Sequence, residues 1–401
     1  MNNTFLILED GSVYPGTSFG NPAVKISQLP SQNTNSHPAG GGEVVFNTSM
    51  TGYHEIMTDP SYTGQIVLMT YPHIGNYGAD DSWNESGPEP KTTSQNVIKL
   101  KSLIVRDYYD GPVPPGRKSL HQFMLENLIP GISGIDTRKL TLSLRDKGSR
   151  NGILIQASSE FLSETEVNAV TDWLKSQPDM AGQNLVGEVG TSEIQEIPAS
   201  FKTDDRTRAV ENILHFALLD CGIKANIVRE LEKRNVKITL FPSDTDLEKI
   251  LSISPDALLI SNGPGDPAVL HKQISLLQNC VGKVPLFGIC LGHQLISLAL
   301  GAKTYKMKFG HHGGNHPVRD EFTGKVCVTS QNHGFAVEAK TLPSDVDIWF
   351  TNTNDNSIEG ISHTTLPIMS VQFHPEAAPG PMDANWIFDS YISRTRLHKK
   401  T

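Results

Sequence analysis

The chain has 401 residues, too many for one ordinary domain, since one domain is expected per ~150 residues. Its formal net charge of −9 disfavours a general nucleic-acid binder, whose affinity rests on clustered cations against phosphate. With 37% hydrophobic and 19% charged residues it can bury a sizeable core and lacks the composition of a disordered chain. No apolar stretch reaches the ~18 residues that a membrane helix needs. The N-terminal run MNNTFLILEDGS has no cationic region ahead of its apolar part, so no signal peptide is expected. Four cysteines, Cys221, Cys280, Cys290 and Cys327, show no CxxC or zinc spacing. A cytoplasmic, multidomain protein without nucleic-acid or membrane partners is expected.

To about residue 190 the sequence is rich in Gly, Thr, Ser and Pro, and short apolar runs (FLILED, EVVFNTS, QIVLMTYP) read as strands. One helix is clearly marked there. Asp136 is the N-cap, Leu140 and Leu144 stack one turn apart, and Gly148 closes the C-terminus. Lys25–Gly42 is polar, Pro/Gly-rich and aperiodic, which predicts a mobile loop. Residues 191–211 carry many charges and few large apolar groups, so they are expected to link a domain 1–190 to a domain 212–401.

From Ile213 the pattern alternates. ILHFALLD, VKITLFP, DALLIS and VPLFGIC are apolar runs, with helical stretches IKANIVRELEKRN and LGHQLISLALG between or after them. Continuous apolar strands joined by helices predict an α/β domain with a mostly parallel sheet covered by helices, preceded by a smaller β-rich α+β domain. Ligands on such sheets bind beyond the carboxyl ends of the strands. The turns after ALLIS, PLFGI and IMSVQF are therefore the places to look for chemistry.

FGICLGHQL sets Cys290 between Gly288 and Gly292 at a strand–helix junction. This is the thiol form of a nucleophile elbow, in which flanking glycines admit a strained turn exposing the sulfur. The N-terminus of the following helix favours thiolate, whereas an unperturbed thiol with a pKa of roughly 8.5 is only slightly ionised at neutral pH. A buried core cysteine is the competing interpretation, and it suffices for Cys221, Cys280 and Cys327. IMSVQFHPEA supplies a base, His374, and an orienting carboxylate, Glu376, two residues apart beyond a strand. Alone, H-P-E reads more readily as a surface turn; Cys290 earlier in the same half reverses that preference. Gly263 and Gly265 of SNGPGDP admit a backbone N–H beside a developing oxyanion. QNHGFAV reads as a turn whose Asn332, His333, Gly334 and Phe335 could grip an amino-acid head, or as a plain hairpin turn. KFGHHGGNHP gathers His311, His312 and His316, but flexible glycines and the lack of a nearby Cys or carboxylate disfavour a metal. Neither GxxxxGK[ST] nor a GxGxxG after a strand is present, so no nucleotide site is visible.

Together, FGICLGHQL, SNGPGDP and SVQFHPEA resemble class I glutamine amidotransferases, which hydrolyse glutamine to glutamate and ammonia. The block GEVVFNTSMTGYHEIMTDPSYTGQIVLMTYPHIGNYG, with GIDTRKLTLSLRDKGSRNG, KFGHHGGNHPV and SQNHGFAV, is similar to the small subunit of carbamoyl-phosphate synthase, over nearly the whole chain. That resemblance implies Cys290 as nucleophile with His374 and Glu376 completing a triad. It also implies Ser49, Gly263, Gly265, Leu291, Gln294, Asn332, Gly334 and Phe335 around bound glutamine. It implies a large synthetase subunit as partner, ATP and Mg on that subunit, no cofactor or metal in this chain, and a place in arginine or pyrimidine synthesis. The segment from about Asn21 to Gly41 is longer and more polar than the family pattern, which bears on surface contacts rather than chemistry. The rival interpretations are an amidotransferase subunit of a different synthase, a stand-alone γ-glutamyl hydrolase, and a non-catalytic regulatory subunit that kept the fold.

Overall fold

A computed structural model describes residues 3–30, 38–87, 97–200 and 213–400. Two compact units are present. One comprises Met1–Ser86, Pro90–Gln183 and Lys308–His312, and the other Gly87–Glu89, Asn184–Met307 and Gly313–Thr401. Much of the linker expected at 191–211 lies outside the described residues.

The first unit is a barrel. Its elements are β1 (Thr4–Leu8), β2 (Val13–Gly20), β3 (Gly41–Asn47), α1 (Tyr53–Thr58), β4 (Gln65–Met69), β5 (His73–Ile74), β6 (Ser102–Ile104), β7 (Asp107–Tyr108), α2 (Leu120–Glu126), β8 (Pro130–Ser133), α3 (Thr137–Lys147), β9 (Arg150–Gln156) and α4 (Glu164–Lys175). Seven strands close in the order β1-β2-β8-β6-β4-β3-β9. Alternation sorts their side chains: Leu6, Val44, Ile66, Leu68, Ile104, Ile132 and Leu154 form one cluster, which Leu140 and Leu144 of α3 join. Phe5, Ile7, Ile153 and Ile155 point the other way and meet Val170 and Leu174 of α4.

Helix α3 ends where the sequence places it: the Asp136 side chain accepts from Lys139 N at 2.9 Å and Gly148 is the C-cap at φ +99°. Helix α4, absent from the sequence-based expectations, opens on a capping box formed by Ser163 and Glu166 three residues apart. The expected loop at Lys25–Gly42 is ordered at both ends. Ile26–Gln28 forms a 3₁₀ turn, Ile26 and Leu29 pack on the α4 cluster, and the Trp173 indole N–H donates to Pro30 O at 3.1 Å. The middle of that loop, 31–37, lies outside the described residues.

The second unit is an α/β layer structure. It contains β10 (Gln195–Ile197), β11 (His215–Asp220), α5 (Ala225–Glu232), β12 (Lys237–Pro242), α6 (Leu247–Leu251), β13 (Ala257–Ile260), α7 (His271–Cys280), β14 (Leu286–Ile289), α8 (Leu291–Ala299), β15 (Thr304–Asp320, apart from Lys308–His312), β16 (Val326–Val337), β17 (Val346–Asn352), β18 (Ile358–His363), β19 (Ile368–Val371) and α9 (Ile387–His398). Sheet order is β10-β12-β11-β13-β14-β19-β18-β17-β15-β16. The five strands from β12 to β19 are mutually parallel, and antiparallel strands extend the sheet beyond them. Both faces of β11 are buried. Phe216 and Leu218 join Ile227, Leu231, Phe388 and Tyr391 of α5 and α9, while Ala217 and Leu219 join Ile250, Leu277 and Leu295 of α6, α7 and α8. That two-sided burial is why these strands read as unbroken apolar runs.

Two segments differ from their sequence-based expectation. QNHGFAV is not a turn but the second half of β16, and KFGHHGGNHP is not a flexible glycine loop but part of β15. Tertiary pairing overrides the glycine and asparagine turn signal in both, because each segment lies in a sheet that fixes its backbone.

Candidate active site

Parallel register assembles the site. Ile260 pairs with Gly288 and Ile289 with Val371, so the chain leaves β13, β14 and β19 side by side at their carboxyl ends. Cys290 follows β14 directly, and its N–H donates to Val371 O at 2.9 Å. Its backbone has φ +53° and ψ −104°, strained for a residue with a Cβ, and it is the N-cap of α8. Strain therefore sits on Cys290 itself. The flanking glycines serve close approach instead: a Cβ on Gly288 would lie 2.5 Å from the Gly292 carbonyl carbon, and one on Gly292 2.2 Å from Ile260 O.

The sulfur is not exposed as the elbow motif suggested. Cys290 is 2% accessible, and Asn332 O, carried over it by β16, is 3.5 Å from Sγ. That strand is held in place by His374 N, which donates to Ser330 O at 2.9 Å.

His374 Nδ1 lies 2.6 Å from Glu376 Oε1, with both side chains buried. Burial opposes charge on His374, but the Glu376 carboxylate and the Cys290 sulfur outweigh it and raise the imidazole pKa. Burial likewise opposes ionisation of Glu376, yet the Lys224 ammonium and then His374 overcome it and lower the carboxyl pKa. The group is thus arranged as imidazolium on carboxylate, with the thiol sulfur at hand. Burial pushes the Cys221, Cys280 and Cys327 thiols up, in keeping with structural roles.

Gly263 follows β13 in the turn beside α8. A Cβ there would lie 2.1 Å from Cys221 O and 2.8 Å from Leu291 Cδ2, so only glycine lets this turn meet the start of α8. Gly265 has φ +90°. Leu291 is the first residue of α8, where backbone N–H groups have no partner within a helix. Gln294, one turn on, donates to Phe335 O at 2.8 Å and to Gln372 Oε1 at 3.0 Å. Gly334 faces Lys306, whose ammonium also sits 5.2 Å over the Phe335 ring. Ten of the eleven candidate residues thus lie in the α/β unit. Ser49 lies in the barrel unit, where its N–H donates to Asn47 Oδ1 at 2.7 Å.

Sequence reasoning missed Lys224, His293 and Asn226. Lys224 is 2% accessible and pairs with Glu376 Oε1 at 3.1 Å. His293 is fully buried beside Ser370 Oγ at 2.9 Å, and burial lowers its pKa to about 3, which keeps it neutral. Asn226 donates to Glu376 O. The segment GIKAN following β11 held the only hint, a lysine at a strand end where burial of charge demands a partner.

Residues 6–154 match the family model for the carbamoyl-phosphate synthase small chain, CPSase domain, and residues 217–394 match that for class-I glutamine amidotransferases. A carbamoyl phosphate synthase small chain from Methanocaldococcus jannaschii is 46% identical over 96% of this chain and 97% of its own length. The chain belongs to the carbamoyl-phosphate synthase small-chain family. Other relatives of that name, from Akkermansia muciniphila and Aquifex aeolicus, are 44% and 43% identical over 98% and 96% of this chain and 98% and 97% of their own lengths. The small-chain family resemblance expected from the motifs is therefore shown, and it spans both units. Among the described residues no helix is long and apolar enough to cross a membrane.

Proposed function

We propose that this small-chain family member is the glutamine-hydrolysing subunit of a carbamoyl-phosphate synthase, with Cys290 as nucleophile, His374 as acid and base, and Glu376 as orienting carboxylate. The observation that carries the reading is the buried Cys290–His374–Glu376 set, with the 2.6 Å His374–Glu376 contact at its centre. The thiolate adds to the side-chain amide carbon of glutamine, and the carbonyl electrons move onto oxygen. Backbone N–H groups at the Gly263 turn and at Leu291 stabilise that oxyanion, the kind of donor worth about 3 kcal/mol. His374 imidazolium gives its proton to the amide nitrogen, the C–N bond breaks, and ammonia leaves a thioester. Neutral His374 then takes a proton from water, hydroxide displaces the thiolate, and the side-chain carboxylic acid so formed gives its proton to solvent as glutamate departs, with thiolate and imidazolium restored.

Asn332, whose O lies 3.5 Å from Cys290 Sγ, is proposed to hold glutamine together with Gly265, Gln294, Gly334 and Phe335. Ser49 is included on the family resemblance alone. At neutral pH free ammonia is mostly ammonium, so its use as a nucleophile calls for transfer within a complex. A large partner subunit is proposed to receive it and to supply the ATP- and Mg-dependent steps on bicarbonate. A glutaminase assay on the purified chain, paired with co-purification of a large ATP-using chain, tests both halves. Absence of glutamate release alone and in the complex would overturn the catalytic reading; release without any such partner would overturn the assignment to this synthase.

A further inference from the structure

The turn that carries Glu376 is held from outside. Ala377 and Ala378 both take positive φ, 56° and 53°, a region that residues with a Cβ rarely enter and never as a regular run. Nothing in E-A-A itself favours this path. Two side chains of the segment entering α5 take hold of it: Lys224 Nζ donates to Ala377 O, and Asn226 Nδ2 donates to Glu376 O. The same segment is anchored to the oxyanion side, because Lys224 N donates to Asn262 Oδ1 at 3.0 Å and Cys221 N to Ser261 Oγ at 2.9 Å. One short stretch of chain, Cys221 to Asn226, thus ties the carboxylate turn to the turn bearing Gly263.

We infer that Asn226 is a positioning residue for glutamine hydrolysis, acting through the Glu376 main chain to keep its carboxylate on His374. This rests on the assignment of Cys290, His374 and Glu376 as the catalytic set. Lys224 performs a related task but is also the carboxylate's ion-pair partner, so its removal confounds charge with geometry. Asn226 is neutral and half-buried, and its side-chain amide grips the Glu376 backbone oxygen rather than the carboxylate. Its loss releases one carbonyl of a turn whose backbone is otherwise disfavoured, and the Glu376 Cα that bears the carboxylate arm, two bonds from that oxygen, moves with it. A displacement of ~1 Å in such a group costs about 100-fold in rate.

The experiment compares Asn226→Ala, Asn226→Asp and Asn226→Gln with the wild type, using the full chain. Glutamine hydrolysis is measured at steady state, and iodoacetamide modification of Cys290 is followed by mass spectrometry across pH. We expect Asn226→Ala and Asn226→Asp to lose about 10- to 100-fold in kcat with KM within about two-fold. Asn226→Gln, which keeps a donor, should stay nearer the wild type. The acid limb of Cys290 modification should move to higher pH in the Ala variant, because a misaimed carboxylate supports the imidazolium less well; the carboxylate that Asp introduces acts in the opposite direction, so that variant is read by kcat. Should Asn226→Ala fail to fold, the nearly isosteric Asn226→Asp carries the test. Wild-type kcat in folded Ala or Asp variants, or a kcat loss in Asn226→Ala with an unmoved modification profile, would overturn the inference. A wild type that hydrolyses no glutamine either alone or in the complex, or a Cys290→Ser chain that still does, would instead indict the catalytic assignment.

Discussion

Lys224 Nζ lies 3.1 Å from Glu376 Oε1, and the two side chains retain only 2% and 0% of their accessibility. A buried ammonium thereby compensates a buried carboxylate that also faces His374. Two charges removed from water need such partners, since an unpaired one costs several kcal/mol. The arrangement fixes the protonation of the site: Lys224 keeps Glu376 ionised, and Glu376 keeps His374 charged.

That coupling predicts a pH window for stability. The Glu376 pKa is lowered to about 2, so its contribution is complete above the ordinary 4.5 and is lost as pH falls towards 2. The His374 pKa is raised to about 10, so its contribution is complete below the ordinary 6.5 and is lost as pH rises towards 10. Glu376→Gln should therefore cost most stability between about pH 4.5 and 6.5, by roughly 3–5 kcal/mol for a broken buried pair. Thermal or urea unfolding of both proteins across pH checks it. A stability difference that grows above pH 8 would contradict the pairing.

Cys290→Ser should lower glutamine hydrolysis by several orders of magnitude, because a hydroxyl is far harder to ionise than a thiol. In a complex with its synthetase partner, carbamoyl-phosphate formation from added ammonia should persist. Retention of glutamine-dependent synthesis would remove Cys290 from the nucleophile's role.

Gly263→Ala places a methyl group 2.1 Å from Cys221 O, a main-chain atom that cannot rotate aside. The turn must shift, taking its N–H away from the proposed oxyanion position. Glutaminase kcat should fall on the order of 100-fold or more, the effect of losing one such donor. Full activity in this variant would show that the turn plays no part in the chemistry.

Asp136→Ala removes the side chain that accepts from Lys139 N at the start of α3. A lost N-cap costs about 1 kcal/mol, and the proposed catalytic residues Cys290, His374 and Glu376 lie in the other unit. A melting temperature lower by a few degrees with unchanged glutamine turnover is the expected result, read by calorimetry and a glutamate assay.

By itself the sequence determined the local features whose causes are local. Asp136, Leu140, Leu144 and Gly148 define α3 because capping and one-turn spacing act within a dozen residues. Apolar runs around Leu218, Leu259 and Phe287 declared a sheet buried on both faces, and Cys290, His374 and Glu376 stood in the turns where such a sheet presents chemistry. Only the tertiary structure decided what depends on partners distant in the chain. Asn332 to Phe335 carry turn-forming residues, yet they form strand because β16 crosses the site and His374 pairs with Ser330. Cys290 stands in an exposing motif but is covered by Asn332 O, 42 positions away. Lys224 and Asn226 look like ordinary polar residues at the start of a helix; folding brings them to Glu376, some 150 positions on. A side chain's charge and hydrogen-bonding capacity are written in its own position, whereas the dielectric around it and the partner it meets are set by whichever segments the fold packs against it.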